Sequence, residues 1–279
     1  MIRGDDRRVD RQDESKVEQI VDALTLFDDA LMSLVFDKNI LLTQLILRII
    51  LGRDLKVISV KGQEELKNPL VGGRDITIDV HAIDTNGEEI DIEIQGDSEG
   101  SHVRRARFHS AMIDSRMLKE GDRFKDLKDS YVIFIYRHDK FQKGYPMYRA
   151  DRMILETGDM LRDGSHIIYV NGAYKGDDAI GRLVRDFHSK SSGEMFYKEL
   201  AEGVRHYKET EEGRDSVCEA VRKYAEAEAE KSAEISRINT LIRSVKLLMK
   251  NASFTLDQAL TNLEVSDNDR LIITDQLVK

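Results

Sequence analysis

At 279 residues, with 34% charged and 41% hydrophobic residues, the chain is long enough for one sizeable core and an appendage. A single cysteine, Cys218, excludes an intramolecular disulfide and any cysteine-rich zinc site, and fits a reducing, cytoplasmic setting. The net charge of −9 excludes attraction to nucleic acid by total charge; residues 209–235 hold nine acids and four bases, a net −5, so more than half of the surplus lies in one stretch.

Residues 1–20 are charged and aperiodic, and read as a flexible N-terminal tail without the apolar segment of a signal peptide. Asp28 or Asp29 is placed to cap the helix that follows. Leu31, Leu34, Val35, Leu41, Leu42, Leu45 and Ile49 give that region an apolar stripe, with a break near 37–39 and a stop at Gly52. The most apolar run, 40–51, is interrupted by Thr43, Gln44 and Arg48 and is too short to span a bilayer, so no membrane partner is expected. Residues 55–60 read as an edge strand. Residues 63–71, with Pro69, read as a polar connection.

Residues 74–95 alternate apolar and polar side chains on either side of a turn, the pattern of a β-hairpin. Ile76, Ile78, Val80 and Ala82 share one face, and Ile90, Ile92 and Ile94 share the corresponding face of the next strand. A two-residue Asn-Gly loop would set Asp79 against Ile94. A three-residue loop, Thr85-Asn86-Gly87 with glycine left-handed, instead pairs Asp84 with Glu88, Val80 with Ile92 and Asp79 with Glu93. Only that register keeps the isoleucines together. It also sets two carboxylates about 5 Å apart at Cβ, where like charges repel. A divalent cation such as Mg²⁺, which takes one or two carboxylates and keeps several waters, would relieve that repulsion; acids splayed into water are the alternative.

A polar loop leads to a helix over 102–119 whose Val103, Ala106, Ser110, Ile113 and Met117 form a small-sided face suited to a sheet. Arg105, His109 and Arg116 fall within about 40° of one another beside it, and Arg104 and Arg107 lie round the other side. These five are candidates to bind DNA phosphates, with an ordinary solvated basic face as the alternative. Strands are expected at 131–137 and 165–170, and a short helix at 178–188. From Ser191 the chain reads as wholly helical. Ile235, Ile238, Ile242, Val245 and Met249 repeat at coiled-coil spacing, so the seam either packs on the chain's own helices or forms a homodimer. Further helices start at Thr255 and Ser266. The sequence contains no P-loop, G-x-G-x-x-G, H-E-x-x-H or G-x-S-x-G, and its seven histidines fit no zinc spacing.

Asp79, then Glu93-Ile94-Gln95 on the next strand, then a basic helix resembles the PD-(D/E)XK nuclease superfamily. More narrowly it resembles the PD-(D/E)XK nuclease family transposases of the recombination-promoting nuclease type. Leu26-Phe27-Asp28-Asp29, Val35-Phe36, Gln63, Gly73-Arg74, Arg104-Arg105-Ala106-Arg107, Tyr131-Val132-Ile133-Phe134-Ile135 and His166-Ile167-Ile168-Tyr169-Val170-Asn171-Gly172 all read like that family, over most of the chain. The resemblance implies an α/β (α+β) fold: a restriction-endonuclease-like αβββαβ core with a mixed sheet over 21–190, before the all-helical 191–279. It implies a Mg²⁺-dependent DNA endonuclease, Mn²⁺ substituting, that promotes recombination of a mobile element. Asp79, Glu93 and the Ile94 carbonyl would hold the metal. Gln95 stands where the superfamily has a lysine that positions water and stabilises charge. Asp29 and Gln63 match further site positions, with helix capping and an exposed loop as their alternatives. The glutamine favours a rival reading, a binding module that keeps the fold without cutting. An interaction protein built on the acidic helices is a third.

Overall fold

The computed structural model describes residues 6–70, 73–96 and 102–278. The stretch read as a tail contains a helix, α1 (Asp6–Ala23). The apolar stripe after it forms α2 (Asp29–Phe36) and α3 (Ile40–Leu51), separated near 37–39 as expected. Asn39 caps α3 by accepting from the Leu42 amide, and Gly52 ends it in the left-handed conformation. Asp28 occupies the N-cap position of α2 but makes no cap bond, because its carboxylate turns back to accept from Thr25 N and Oγ1 at 2.7 and 2.8 Å.

The edge strand, β1 (Val57–Leu66), runs past the expected end and takes in Gln63. The hairpin follows as β2 (Ile76–Asp84) and β3 (Glu89–Gln95). Its loop is the three-residue one: Gly87 has φ +80°, Asp84 N–H donates to the Glu88 carbonyl at 3.2 Å, and Val80 lies opposite Ile92. Asp84 Oδ1 locks the turn by accepting from the Asn86 and Glu88 amides. Helix α4 (Val103–Met117) then crosses to β4 (Ser130–Tyr136), which pairs parallel with β3. A short strand not read from the sequence, β5 (Met147–Ala150), pairs antiparallel with the last one, β6 (Ser165–Asn171). The sheet order is β1-β2-β3-β4-β6-β5, mixed as expected, with the αβββαβ core in place.

Register divides the sheet into two faces. Gly62, Val80 and Ile92 share the face towards α2, where a Cβ at Gly62 would meet Asp37 and the Ser33 carbonyl at 3.4 Å. His81, Asp91 and Val132 share the opposite face, which α4 covers with Ala106, Met112 and Ile113 packed among Val132, Phe134 and Tyr136. The polar row of the hairpin is therefore buried at His81, Asp91 and Glu93, while Asp79 and Gln95 at its end are half-buried. Val103, expected on the packing face, is exposed, while His109, read as part of the basic surface, is buried.

α5 (Ala179–His188) is capped by Asp178, and α6 (Lys198–Glu209), α7 (Glu211–Asn251), α8 (Leu256–Asn262) and α9 (Asp267–Val278) complete the helical part. The chain forms two compact units, Met1–Ala220 and Val221–Lys279, so the division between them falls inside α7. In the second unit, Val245 is buried with Ala259, Leu260, Val265 and Ile273, and Ile242 packs against them. The coiled-coil spacing is thus taken up by the chain's own α8 and α9. Both start where expected: Thr255 and Gln258 form a capping box, and Ser266 Oγ accepts from the Asp269 amide. No helix of the described residues is long and apolar enough to cross a membrane.

Candidate functional site

The paired register of the hairpin ends at Val80–Ile92, and beyond it side chains replace the ladder. Asp79 N–H donates to Glu93 Oε1 at 3.2 Å, and Ile94 N–H donates to Asp79 Oδ2 at 2.8 Å. From the edge strand, Gln63 Nε2 donates to Asp79 Oδ1 at 3.0 Å. Gln63 has φ +50°, uncommon for a residue with a Cβ, on the strand next to the site. Gln63 is thus a partner of the site, not an exposed loop residue.

Helix α4 supplies the opposing wall. Arg105 and His109, one turn apart, point at the carboxylates. Arg105 donates to Glu93 Oε2 through one terminal nitrogen and to Gln95 Oε1 at 2.9 Å through the other. Its guanidinium lies 5.6 Å above the Phe134 ring, a cation–π contact. Its Nε donates to His109 Nε2 at 3.4 Å, which leaves His109 Nδ1 as the donor to Asp91 Oδ2 at 2.7 Å. Asp91, Glu93 and His109 are 0%, 1% and 2% exposed, and each offers a ligand atom within 4.8 Å of the others. From sequence alone, Asp91 has no role and His109 falls among phosphate contacts. The spacing Asp91-x-Glu93, with His109 four residues after Arg105, was the available signal.

Burial dominates the electrostatics. It pushes Asp79 up to about 6, against the Ile94 amide that stabilises its charge and with Asp29 adding repulsion. It pushes Asp91 up to about 8, with Asp79 adding to the effect. Glu93 is raised well above its ordinary value by burial and by its two acidic neighbours. Burial lowers His109, so it is a neutral donor and adds no positive charge.

Three acids, Asp79, Asp91 and Glu93, thus lie together with Asp29 adding repulsion, Arg105 is the guanidinium bonded to them, and Asp91 Oδ1 is buried with no hydrogen-bond partner among the described residues. Leaving such an acceptor unsatisfied costs about 1–3 kcal/mol. A donor set of carboxylates with an imidazole behind them, short of positive charge and holding an orphaned oxygen, fits a divalent cation. The site brings together Asp79, Glu93, Gln95, Arg105 and His109, with Gln63 beside them and Asp29 acting through its charge. Ile94 meets Asp79 through its amide. Arg104 and Arg107 remain on the exposed side of α4, and Arg116 turns away, donating to the Met112 carbonyl at 2.8 Å and to the Lys67 carbonyl.

Residues 35–173 match the family described as PD-(D/E)XK nuclease family transposase. The chain belongs to that family. No curated protein and no solved structure matches it. The matched PD-(D/E)XK segment runs from the last two residues of α2 past the end of β6, and so contains Asp79, Glu93, Gln95, Arg105 and His109; Asp29, at the start of α2, lies before it. The family supports a nuclease or transposase type of role for this sheet and this cluster.

Proposed function

We propose that this PD-(D/E)XK protein is a Mg²⁺-dependent DNA endonuclease, with Mn²⁺ able to substitute, that cuts phosphodiester bonds in the recombination of a mobile element. The observation that carries the reading is the buried carboxylate cluster around Glu93, short of positive charge and with one oxygen unpartnered. Asp79, half-buried on the open side, and Glu93 would hold the cation, with the Ile94 carbonyl as the third ligand. Asp91 and His109 lie behind Glu93 as a positioning pair. When bound, the ion would polarise a phosphoryl oxygen and supply a nucleophilic water at neutral pH.

The chain's own residues do the rest. Gln63 and the Ile94 amide fix the Asp79 carboxylate through one oxygen each. Arg105 supplies the positive charge that Gln95, in the lysine position, lacks, and its bond to Gln95 Oε1 orients that amide towards the site. Arg104 and Arg107, exposed on the same helix, would bind backbone phosphates and position the duplex without reading its sequence. A nuclease of this kind works on DNA in the cytoplasm.

Nicking of supercoiled plasmid in Mg²⁺ or Mn²⁺ tests the reading. Wild type is expected to nick, and Glu93→Ala is expected to lose at least a hundredfold. No nicking by wild type would leave the rival reading, a DNA-binding module without catalysis, which the glutamine at 95 favours. Self-association through α7 would have to use Ile235 and Met249, the two seam residues left exposed.

A further inference from the structure

The second buried polar atom without a partner among the described residues is a donor, Arg137 Nε. Arg137 follows β4 directly, and its N–H donates to the Gln95 carbonyl at 3.1 Å. Its terminal nitrogen meets Thr25 Oγ1 and Asp28 Oδ1 at 3.5 Å, the outer limit of a hydrogen bond, while the Phe27 ring supports the guanidinium from 5.2 Å. Arg137 is thus held in place more by stacking than by an anion.

Beside it lies a cleft of about 790 Å³ at the carboxyl ends of β4 and β6. Ligands of parallel sheets sit at that end, and a nucleotide is within the range of about 300–1,000 Å³ that such sites span. Gly172 forms one wall: a Cβ there would fall 2.0 Å from the Tyr136 carbonyl, so only glycine lets the chain turn so close to β4. Three cations line the cleft, Arg137, Lys175 and Arg185, against one carboxylate, Glu194. Arg185 is engaged by Asp177 at 2.8 Å, but Lys175 has no ion-pair partner among the described residues. Phe196 stands at the rim, 54% exposed, with the Arg185 guanidinium 4.6 Å over its ring. The buried Asp186 carboxylate fixes it there by accepting from the Phe196 and Tyr197 amides, each at 2.8 Å.

A free cation, a half-satisfied guanidinium and an exposed ring carrying a cation form a site for backbone phosphate with an unpaired base. We propose that this cleft takes an unpaired nucleotide of the DNA flanking the scissile bond, its phosphate on Arg137 and Lys175 and its base on Phe196. This rests on the nuclease reading of the neighbouring cluster, and the Arg137–Gln95 bond ties the two sites to one strand end.

The test is fluorescence anisotropy of the full chain in chelator, so that no cutting occurs, with a blunt duplex and with duplexes carrying 5′ or 3′ single-stranded flanks. Wild type is expected to bind one flanked duplex more tightly than the blunt one. Lys175→Ala and Phe196→Ala should each weaken that complex by about fivefold or more, leave blunt-duplex affinity unchanged, and leave the Mn²⁺-induced rise in Tm intact. Lys175→Ala should also reduce the salt dependence of flanked binding by about 0.7 in the log–log slope. Flanked affinity unchanged in both variants, or lost equally on blunt duplex, would overturn the cleft assignment while the nuclease reading stood. No binding of any DNA by wild type would overturn both.

Discussion

Glu93 is the residue on which the site turns. It sits under Arg105, beside Asp79 and Asp91, where burial and both acids oppose its charge more than Arg105 and His109 favour it. Without a cation, the folded protein holds more protons on these acids than the unfolded chain does. Their stabilising contribution is full below the ordinary carboxylate range and is lost as pH rises through about 6 for Asp79 and about 8 for Asp91. Metal-free protein should therefore lose Tm between pH 5 and 9, and Mg²⁺ should raise Tm more at pH 8 than at pH 6, since its ligands must ionise. Scanning calorimetry with and without Mg²⁺ checks both slopes. Glu93→Gln removes one of the repelling charges and should stabilise the metal-free protein at pH 8 by about 1 kcal/mol, roughly 2–4 °C, while abolishing the Mg²⁺ response. A variant that melts lower than wild type and still responds to Mg²⁺ would contradict this.

Among the elements, the hairpin was the most legible and α4 the least. Alternation and loop length alone gave the pairing of Val80 with Ile92, because a one-residue slip would have moved every isoleucine to the wrong face. The same alternation says nothing of what lies above the polar row. His109 reads equally well as a solvated base and as a buried partner of Asp91; only the path of α4 across the sheet decides. Gln63 was legible as a site residue only through the family resemblance, because β1 continues into a stretch that reads as a polar loop, and β5 was hidden because four residues next to Pro146 carry little pattern. The five basic residues of α4, alike in sequence, divide by direction: Arg105 and His109 point in, and Arg104, Arg107 and Arg116 point away. Arg105→Ala should lower the nicking rate at saturating DNA by about a hundredfold. Arg104→Ala and Arg107→Ala should instead weaken DNA binding a few-fold, flatten its salt dependence by about one charge each, and leave that rate near wild type. Equal effects of all three in single-turnover assays would show that α4 acts only as a basic surface.

For the whole molecule, the division inside α7 separates the cluster, with its core of sheet and flanking helices, from a helical unit with a core of its own. The acidic stretch 209–235 straddles that division, far in sequence from the basic residues of α4 and of the cleft, so net charge is a poor guide to what this surface binds. A chain ending at Ala220 should keep the Mg²⁺-dependent rise in Tm and nick plasmid within a few-fold of the full chain; loss of both would make the helical unit part of the site. Whether the carboxylates hold a cation is answered most directly by anomalous diffraction from crystals soaked in Mn²⁺. A peak bonded to Glu93 on its Asp79 side, absent in Glu93→Gln crystals, is the expected result. No peak at the cluster, or one confined to Asp91 and His109 and out of reach of Asp79, would contradict it.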